Sequence, residues 1–387
     1  MSYSPPTSAK PFTLNISEND FSEFKQLLKL SKIGPVTWEG VQDDRRFGLT
    51  HKWITETKDY WLNKYDWRAQ EKHINSFPNY TMEIEGIDVH FIGMFSEKKD
   101  ATPIVFMHGW PGSFIEFLPM AGLIREKYSP ADQPYHVIIA SLPGYTLSAG
   151  LPTDKDWKME DTARVVDKLM KNLDFDKYIA QGGDVGAFVA TILNAGYDAC
   201  VATHHNFLRA PIPDASELTT LEQNSVERAM KWHATGRAYG QEHGSRPSTI
   251  GLVLSSNPLA LLAWIGEKFL EWTDEDPPLD AILTNISLYW FTQGFPRSIY
   301  PYRQLFDPNR PEPPFLSKPT GYSFFQYELL PGIKKGLEKA CNLVTYKQHE
   351  RGGHFAALER PKELLEDVEE FVGIVWKKTS GTLDSRL

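Results

Sequence analysis

From Met82 to Met94 apolar and polar positions alternate, with Met82, Ile84, Ile87, Val89 and Phe91 spaced by polar neighbours and Glu85-Gly86 in their midst. A period of two puts such residues on one face of a strand, so this stretch reads as a half-buried hairpin turning near Glu85-Gly86. The next apolar runs are continuous: Ile104 to Met107, His136 to Ala140, and Tyr178 to Ala180. Strands of a parallel sheet covered on both faces look like this. Between them, a helix starting near Asp156 or Trp157 aligns Ala163, Val166, Leu169, Met170 and Leu173 on one stripe. Ala187 to Ala195 reads as a further helix and Cys200 to His204 as the next strand.

The alternation of strand and helix then stops. From about Pro211 to Pro314 the pattern is mostly helical, with helices expected at Ala229 to Tyr239, Pro258 to Trp272 and Leu279 to Phe291 between proline-rich and acidic turns. The sheet is expected to resume at Leu343 to Tyr346, and the chain to close on a helix from Lys362 to Trp376. Before Met82, helices near Glu18 to Leu30 and Thr50 to Lys64 and the rings of Trp38, Trp53, Trp61 and Trp67 suggest an arm anchored on the main body. The expected division is therefore an arm over 1–81, a core over 82–210 and 315–387, and a helical cap over 211–314. There is no internal repeat.

Composition narrows the function. Of 387 residues, 41% are hydrophobic and 24% charged, which fits a soluble globular protein, and 11 tryptophans suit a pocket or lid lined with rings. The net charge of −9 is spread along the chain without a basic cluster interleaved with aromatics, so nucleic acid is not an expected partner. The two cysteines, Cys200 and Cys341, have no disulfide or zinc spacing, which suits a reducing, cytoplasmic setting. Neither a secretion signal nor a membrane anchor is indicated, so the sequons at Asn15, Asn79 and Asn285 carry little weight. The closing Ser385-Arg386-Leu387 differs from a peroxisomal address by one basic-for-basic change. Whether the chain is a homodimer is left open.

Candidate chemistry centres on Gln181-Gly182-Gly183-Asp184-Val185-Gly186-Ala187. This reads as a nucleophile elbow, a sharp strand-to-helix turn, with aspartate in place of the usual serine. A carboxylate there points to attack on carbon and an ester on the enzyme itself. His108-Gly109-Trp110-Pro111-Gly112 follows the strand ending at Met107, where the Trp110 N–H could join that of Val185 in an oxyanion hole. Gly352-Gly353-His354-Phe355 lies beyond the late strand and supplies the candidate base, His354. The orienting acid must fall between them; Glu328 is the first candidate, with Asp307 and Glu350 as alternatives.

The motifs His108 to Phe114, Gly182 to Gly186, Ser323 to Glu328 and Gly352 to Phe355 together resemble the microsomal-type epoxide hydrolases, especially their soluble fungal relatives. The likeness spans nearly the whole chain, although the microsomal members' membrane anchor is missing. It implies an α/β-hydrolase fold with a mostly parallel central sheet, a helical cap insertion and an N-terminal arm. It also implies no cofactor and no metal, with a hydrophobic epoxide and water as the partners.

Two cap tyrosines that activate the epoxide are carried over from the same resemblance. Tyr239 in Arg237-Ala238-Tyr239-Gly240 matches the first, and Tyr302 in Tyr300-Pro301-Tyr302-Arg303 the second, with Tyr300 close by. Asp184 would attack the epoxide carbon while both phenols hydrogen-bond the leaving oxygen. His354, oriented by Glu328, would then activate water against the ester, releasing a vicinal diol. A haloalkane or haloacid dehalogenase shares the aspartate and histidine and is the main rival. Halide, however, commonly needs a tryptophan directly after the nucleophile, where this chain has Val185.

Overall fold

The computed structural model describes residues 3–379. The chain enters through a two-residue strand, β1 (Lys10–Pro11), and three helices, α1 (Glu18–Leu30), α2 (His51–Asn63) and α3 (Trp67–Asn75). Side-chain caps set where these helices begin. Ser17, Thr50 and Asp66 accept from the backbone N–H groups of Asp20, Trp53 and Ala69, satisfying donors that the first turn leaves unpaired. The expected hairpin forms as β2 (Asn79–Ile84) and β3 (Ile87–Met94), with Glu85 and Gly86 both at positive φ. β2 begins inside the stretch assigned to the arm, and β1 pairs with it, so the arm also extends the sheet.

Strands β4 (Thr102–Met107), β5 (Tyr135–Ala140), β6 (Tyr178–Gly182) and β7 (Cys200–His205) follow, with α4 (Leu118–Lys127), α5 (Met159–Asn172) and α6 (Asp184–Gly196) between them. Every residue of β4 and β6 is buried, as their unbroken apolar runs require. The cap comprises α7 (Thr220–Thr235), α8 (Ala238–Ser245), α9 (Pro247–Ser255), α10 (Pro258–Glu271), α11 (Leu279–Phe291), α12 (Phe295–Ser298) and α13 (Pro301–Leu305). The chain finishes with β8 (Leu316–Tyr327), α14 (Lys334–Ala340), β9 (Cys341–Gly353), α15 (Ala356–Glu359) and α16 (Pro361–Thr379).

Among the described residues the nine strands form one sheet in the order β1-β2-β3-β5-β4-β6-β7-β8-β9. From β5 to β9 all pairings are parallel, and β1, β2 and β3 add an antiparallel edge. β4 lies between β5 and β6, with Met107 opposite Gly182, so the loops after β4 and β6 emerge side by side. That adjacency is what brings the two glycine-rich motifs together.

Two expectations are corrected. The sheet resumes at β8, not at Leu343; the Pro319 and Gly321 in this strand break the apolar run that marks the others, and their place is fixed by pairing to both β7 and β9. The helix expected over Ala229 to Tyr239 is two helices. α7 starts earlier because Thr219 and Glu222 form a reciprocal capping box, and it ends at Gly236, whose N–H bonds the Trp232 carbonyl at 2.7 Å. No single helix among the described residues is long and apolar enough to cross a membrane; α9 and α10 pass together but meet at 118°. Ser385-Arg386-Leu387 lies outside the described residues.

Candidate active site

The turn from β6 into α6 holds Asp184 at φ +45°, a left-handed conformation unfavourable for any residue but glycine. Its neighbours have no room for a side chain. A Cβ on Gly182 would stand 2.3 Å from the Gly186 carbonyl oxygen, and one on Gly186 would stand 2.1 Å from that of Met107 on β4. The elbow is thus pressed against the adjacent strand, and the aspartate is presented at the sheet's edge. Trp110, in the loop after β4, donates its backbone N–H to Asp184 Oδ1 at 2.8 Å. Val185 is fully buried at the start of α6, directly after the aspartate.

Opposite Asp184 stands His354, on the loop leaving β9. Its Nε2 is 3.5 Å from Asp184 Oδ2, and its Nδ1 is 2.7 Å from Glu328 Oε1. Glu328, just past β8, is 1% exposed and also accepts the Leu329 N–H. Burial alone would strip the proton from His354, but Glu328 and Asp184 outweigh it, and the imidazole is held well above its ordinary pKa. The other acids considered for this place are elsewhere: Asp307 is exposed and accepts the Asn309 N–H, and Glu350 is exposed on β9.

Above this group the cap brings two phenols together. Tyr239 on α8 and Tyr302 on α13 have their hydroxyl oxygens 3.5 Å apart, and the Tyr239 ring stacks on that of Trp110 at 5.4 Å. Burial, and then the Asp184 carboxylate, raise Tyr239, while burial, Tyr239 and Asp184 raise Tyr302; both stay protonated donors at neutral pH. Tyr300 is turned away, its hydroxyl 2.6 Å from Thr162 Oγ1 on α5.

Comparison with known proteins accords with this geometry. Residues 9–117 match the family described as epoxide hydrolase N terminus, and residues 102–203 match the alpha/beta hydrolase fold. The chain is similar to the solved structure of Aspergillus niger epoxide hydrolase, with 48% identity and a TM-score of 0.93 over 97% of this chain and 100% of that one. It is 30% identical to epoxide hydrolase 1 of Oryctolagus cuniculus over 95% of this chain and 89% of that protein. The chain belongs to the epoxide hydrolase family. A third likeness, to juvenile hormone epoxide hydrolase from the silkworm Bombyx mori, has 25% identity and a TM-score of 0.86, covering 97% of this chain and 96% of that one. The dehalogenase alternative is set aside.

Within this epoxide hydrolase, a small chamber of about 10 Å³ joins Asp184 and His354 to residues that motif reading passed over, Glu116 and Asn206 among them. Glu116 follows Ser113-Phe114-Ile115. Burial pushes its carboxyl up to about 8, helped by Asp184 and opposed by His354, so at neutral pH it is a protonated acid able to donate. The one sequence signal for it is an acid set in an apolar run beside a catalytic loop. Asn206 accepts from the Gln181 amide at 3.0 Å.

A second group holds His354 in place. The His354 backbone N–H bonds the Trp272 carbonyl at 3.0 Å, while half-buried Glu359 accepts the N–H groups of Asp274, Gly353 and Phe355. Nothing in the linear pattern marks Trp272 or Glu359, because their role exists only where the end of α10 meets the loop after β9. Among the described residues no group of three or more His, Cys, Asp or Glu could hold a metal ion.

Proposed function

We propose that the enzyme opens hydrophobic epoxides through an alkyl ester on Asp184, and that the convergence of the Tyr239 and Tyr302 hydroxyls above that carboxylate is what directs it to epoxides. Two protonated phenols suit an oxygen that stays tethered to the substrate and gains negative charge as the C–O bond breaks. Positioned acids of this kind contribute about 10²–10⁴-fold in rate. The Trp110 N–H, already on Asp184, and the Val185 N–H serve the second step, in which water attacks the ester carbonyl and the aspartate's own oxygen becomes the oxyanion.

Proton balance follows from the charge state of His354. In the resting enzyme it is an imidazolium between two carboxylates. Alkylation consumes the Asp184 charge, so the pull of that carboxylate on the imidazole proton is lost. The proton that His354 gives up balances the one gained by the opened epoxide oxygen, with the phenols as the immediate donors. Neutral His354, oriented by Glu328, then takes a proton from water as the water adds to the ester. Collapse releases the diol and restores the carboxylate and the imidazolium. Glu116 provides a further donor to that water from the chamber wall.

On this reading residues 211–314 form a lid that supplies the acids, while the arm over 1–81 braces it. The ring-rich cap favours aromatic and other hydrophobic epoxides, which suits detoxification or aromatic catabolism. Buried free Cys200 and Cys341 suit the cytoplasm, and the C-terminal tripeptide offers a peroxisomal address.

The test uses styrene oxide. Asp184→Asn should yield no diol in a single turnover, whereas wild-type enzyme in labelled water should place an unlabelled, enzyme-derived oxygen in the first diol. Undiminished diol formation by Asp184→Ala would remove Asp184 as nucleophile. Changing either Tyr239 or Tyr302 to Phe should slow alkylation by roughly 10²-fold, and changing both should nearly abolish it. An unaffected Tyr302→Phe enzyme would leave epoxide activation to Tyr239 alone.

A further inference from the structure

Between α5, α6 and the chain leaving α13 lies a cleft of about 430 Å³. Phe188 and Ile192 of α6 give it an apolar wall, and charged side chains surround them. Those charges are unevenly satisfied. Arg303 pairs with Asp156 and donates to the Trp157 carbonyl at 3.0 Å. Glu160 accepts from the Gln304 amide, and Asp307 from the Asn309 N–H, each at 2.8 Å. Arg209 reaches Glu312 only at 3.6 Å, where the Glu312 side chain is 82% exposed.

Arg310 is different. Among the described residues its guanidinium makes no ion pair or side-chain hydrogen bond; it lies half-buried over the Phe188 ring, 4.6 Å from the centroid. Burial and the like charge of Arg209 weigh against its charged form more than Glu160 and Glu312 favour it. Two neighbouring guanidiniums beside an apolar wall, one of them without a carboxylate, leave a place for an anion that the protein itself does not fill.

The apolar wall of this place is in ring contact with the candidate active site. Phe188 sits one turn past Asp184 on α6, so the two side chains share a face of that helix. The Phe188 ring meets Phe207 edge-on at 5.7 Å, and Phe207 meets His354 in the same way at 5.7 Å. Packed rings thus make up the wall between the cleft and His354, an apolar surface suited to a hydrocarbon chain.

We propose that Arg310 binds the far end of the substrate, so that the enzyme accepts epoxides bearing a carboxylate on an apolar chain. A single planar guanidinium matches the two oxygens of one carboxylate, whereas the surrounding Glu160, Asp307 and Glu312 oppose a dianion such as phosphate. This rests on the epoxide-opening reading above and specifies its substrate class.

The experiment compares an ω-epoxy decanoic acid with its methyl ester in wild type, Arg310→Gln and Arg310→Lys, with styrene oxide as the uncharged control. The readout is the ratio of ester KM to acid KM, in which a general loss of folded enzyme cancels. Wild type should favour the acid by about tenfold, the value of a charge-assisted pair at a partly buried site. Arg310→Gln should bring the ratio to one, Arg310→Lys should keep part of it, and high salt should erode it in wild type. A ratio of one in wild type, or a preference that survives Arg310→Gln, overturns the assignment. Failure to turn over all three compounds would instead overturn the epoxide reading beneath it.

Discussion

At the residue scale the informative side chain is His354, because the proposed mechanism requires its charge to differ between the two half-reactions. Held as an imidazolium by Glu328 and Asp184 against its own burial, it is protonated when the epoxide arrives, and it can act as a base only once Asp184 is an ester. The two steps should therefore have opposite pH limits. Stopped-flow measurements should show alkylation falling on the alkaline side, as His354 loses its proton, and hydrolysis of the alkyl-enzyme falling on the acid side of neutrality. Removing the Glu328 charge with Glu328→Gln should move the alkaline limit down by roughly a pH unit or more. Identical pH profiles for both steps would sink the assignment. The same pairing stabilises the fold: its contribution is complete below the ordinary histidine pKa of 6.5 and is lost as pH rises through the elevated folded value. Of these residues, Asp184 and His354 were legible from motif and order alone. Glu328 is the first candidate on chain order and Tyr302 comes from the resemblance; the structure adds that Asp307 and Glu350 are exposed and that Tyr300 faces Thr162.

At the scale of elements, legibility followed periodicity. β4 to β7 could be read because β4 and β6 are buried throughout and β5 and β7 at all but one position; the hairpin is legible in its alternating sequence, although β3 is buried on both faces. β8 could not, since Pro319 and Gly321 disguise it and its stability comes from partners on both sides. The elbow offers a sharp test of how far local shape is fixed. Gly182→Ala puts a Cβ 2.3 Å from the Gly186 carbonyl oxygen, whereas Gly196, at the end of the same helix, has nothing within 4 Å of its added Cβ. Gly196→Ala is expected to be neutral or to stabilise by up to ~1 kcal/mol in chemical denaturation. Gly182→Ala should destabilise by about 3 kcal/mol or more, comparable to severe overpacking, and should lose activity in whatever remains folded. A soluble, active Gly182→Ala enzyme would mean that the turn has slack these distances deny.

At the scale of the whole molecule, the arm, the cap and the catalytic loop form one mechanical chain with α11 at its centre. The arm grips one side of this helix: Trp61 Nε1 donates to Ser287 Oγ at 3.3 Å, Tyr65 meets Thr284 at 3.0 Å, and Tyr60 donates to Asp280 at 2.9 Å. The other side grips the loop after β4. Asn285 donates to the Pro111 carbonyl and accepts from Ser113 Oγ, each at 2.6 Å, while the Tyr289 hydroxyl donates to the Gly112 carbonyl at 2.9 Å. These bonds hold the three residues directly after Trp110, whose N–H lies on Asp184. Asn285, a formal sequon in the sequence, is thus 2% exposed with both amide atoms engaged, a role that no linear pattern could reveal. Asn285→Ala should then do two things. It should cost about 2–4 kcal/mol in stability, because two buried groups lose their partners at about 1–3 kcal/mol each with some relaxation. It should also slow ester hydrolysis by roughly 10–100-fold, because the Trp110 donor is displaced but not deleted. Single-turnover kinetics would separate the steps, with the slowing expected mainly after alkylation. A variant that is destabilised but hydrolyses its ester at the wild-type rate would show that the loop keeps its geometry without α11, and the arm's hold on that helix would then concern stability alone.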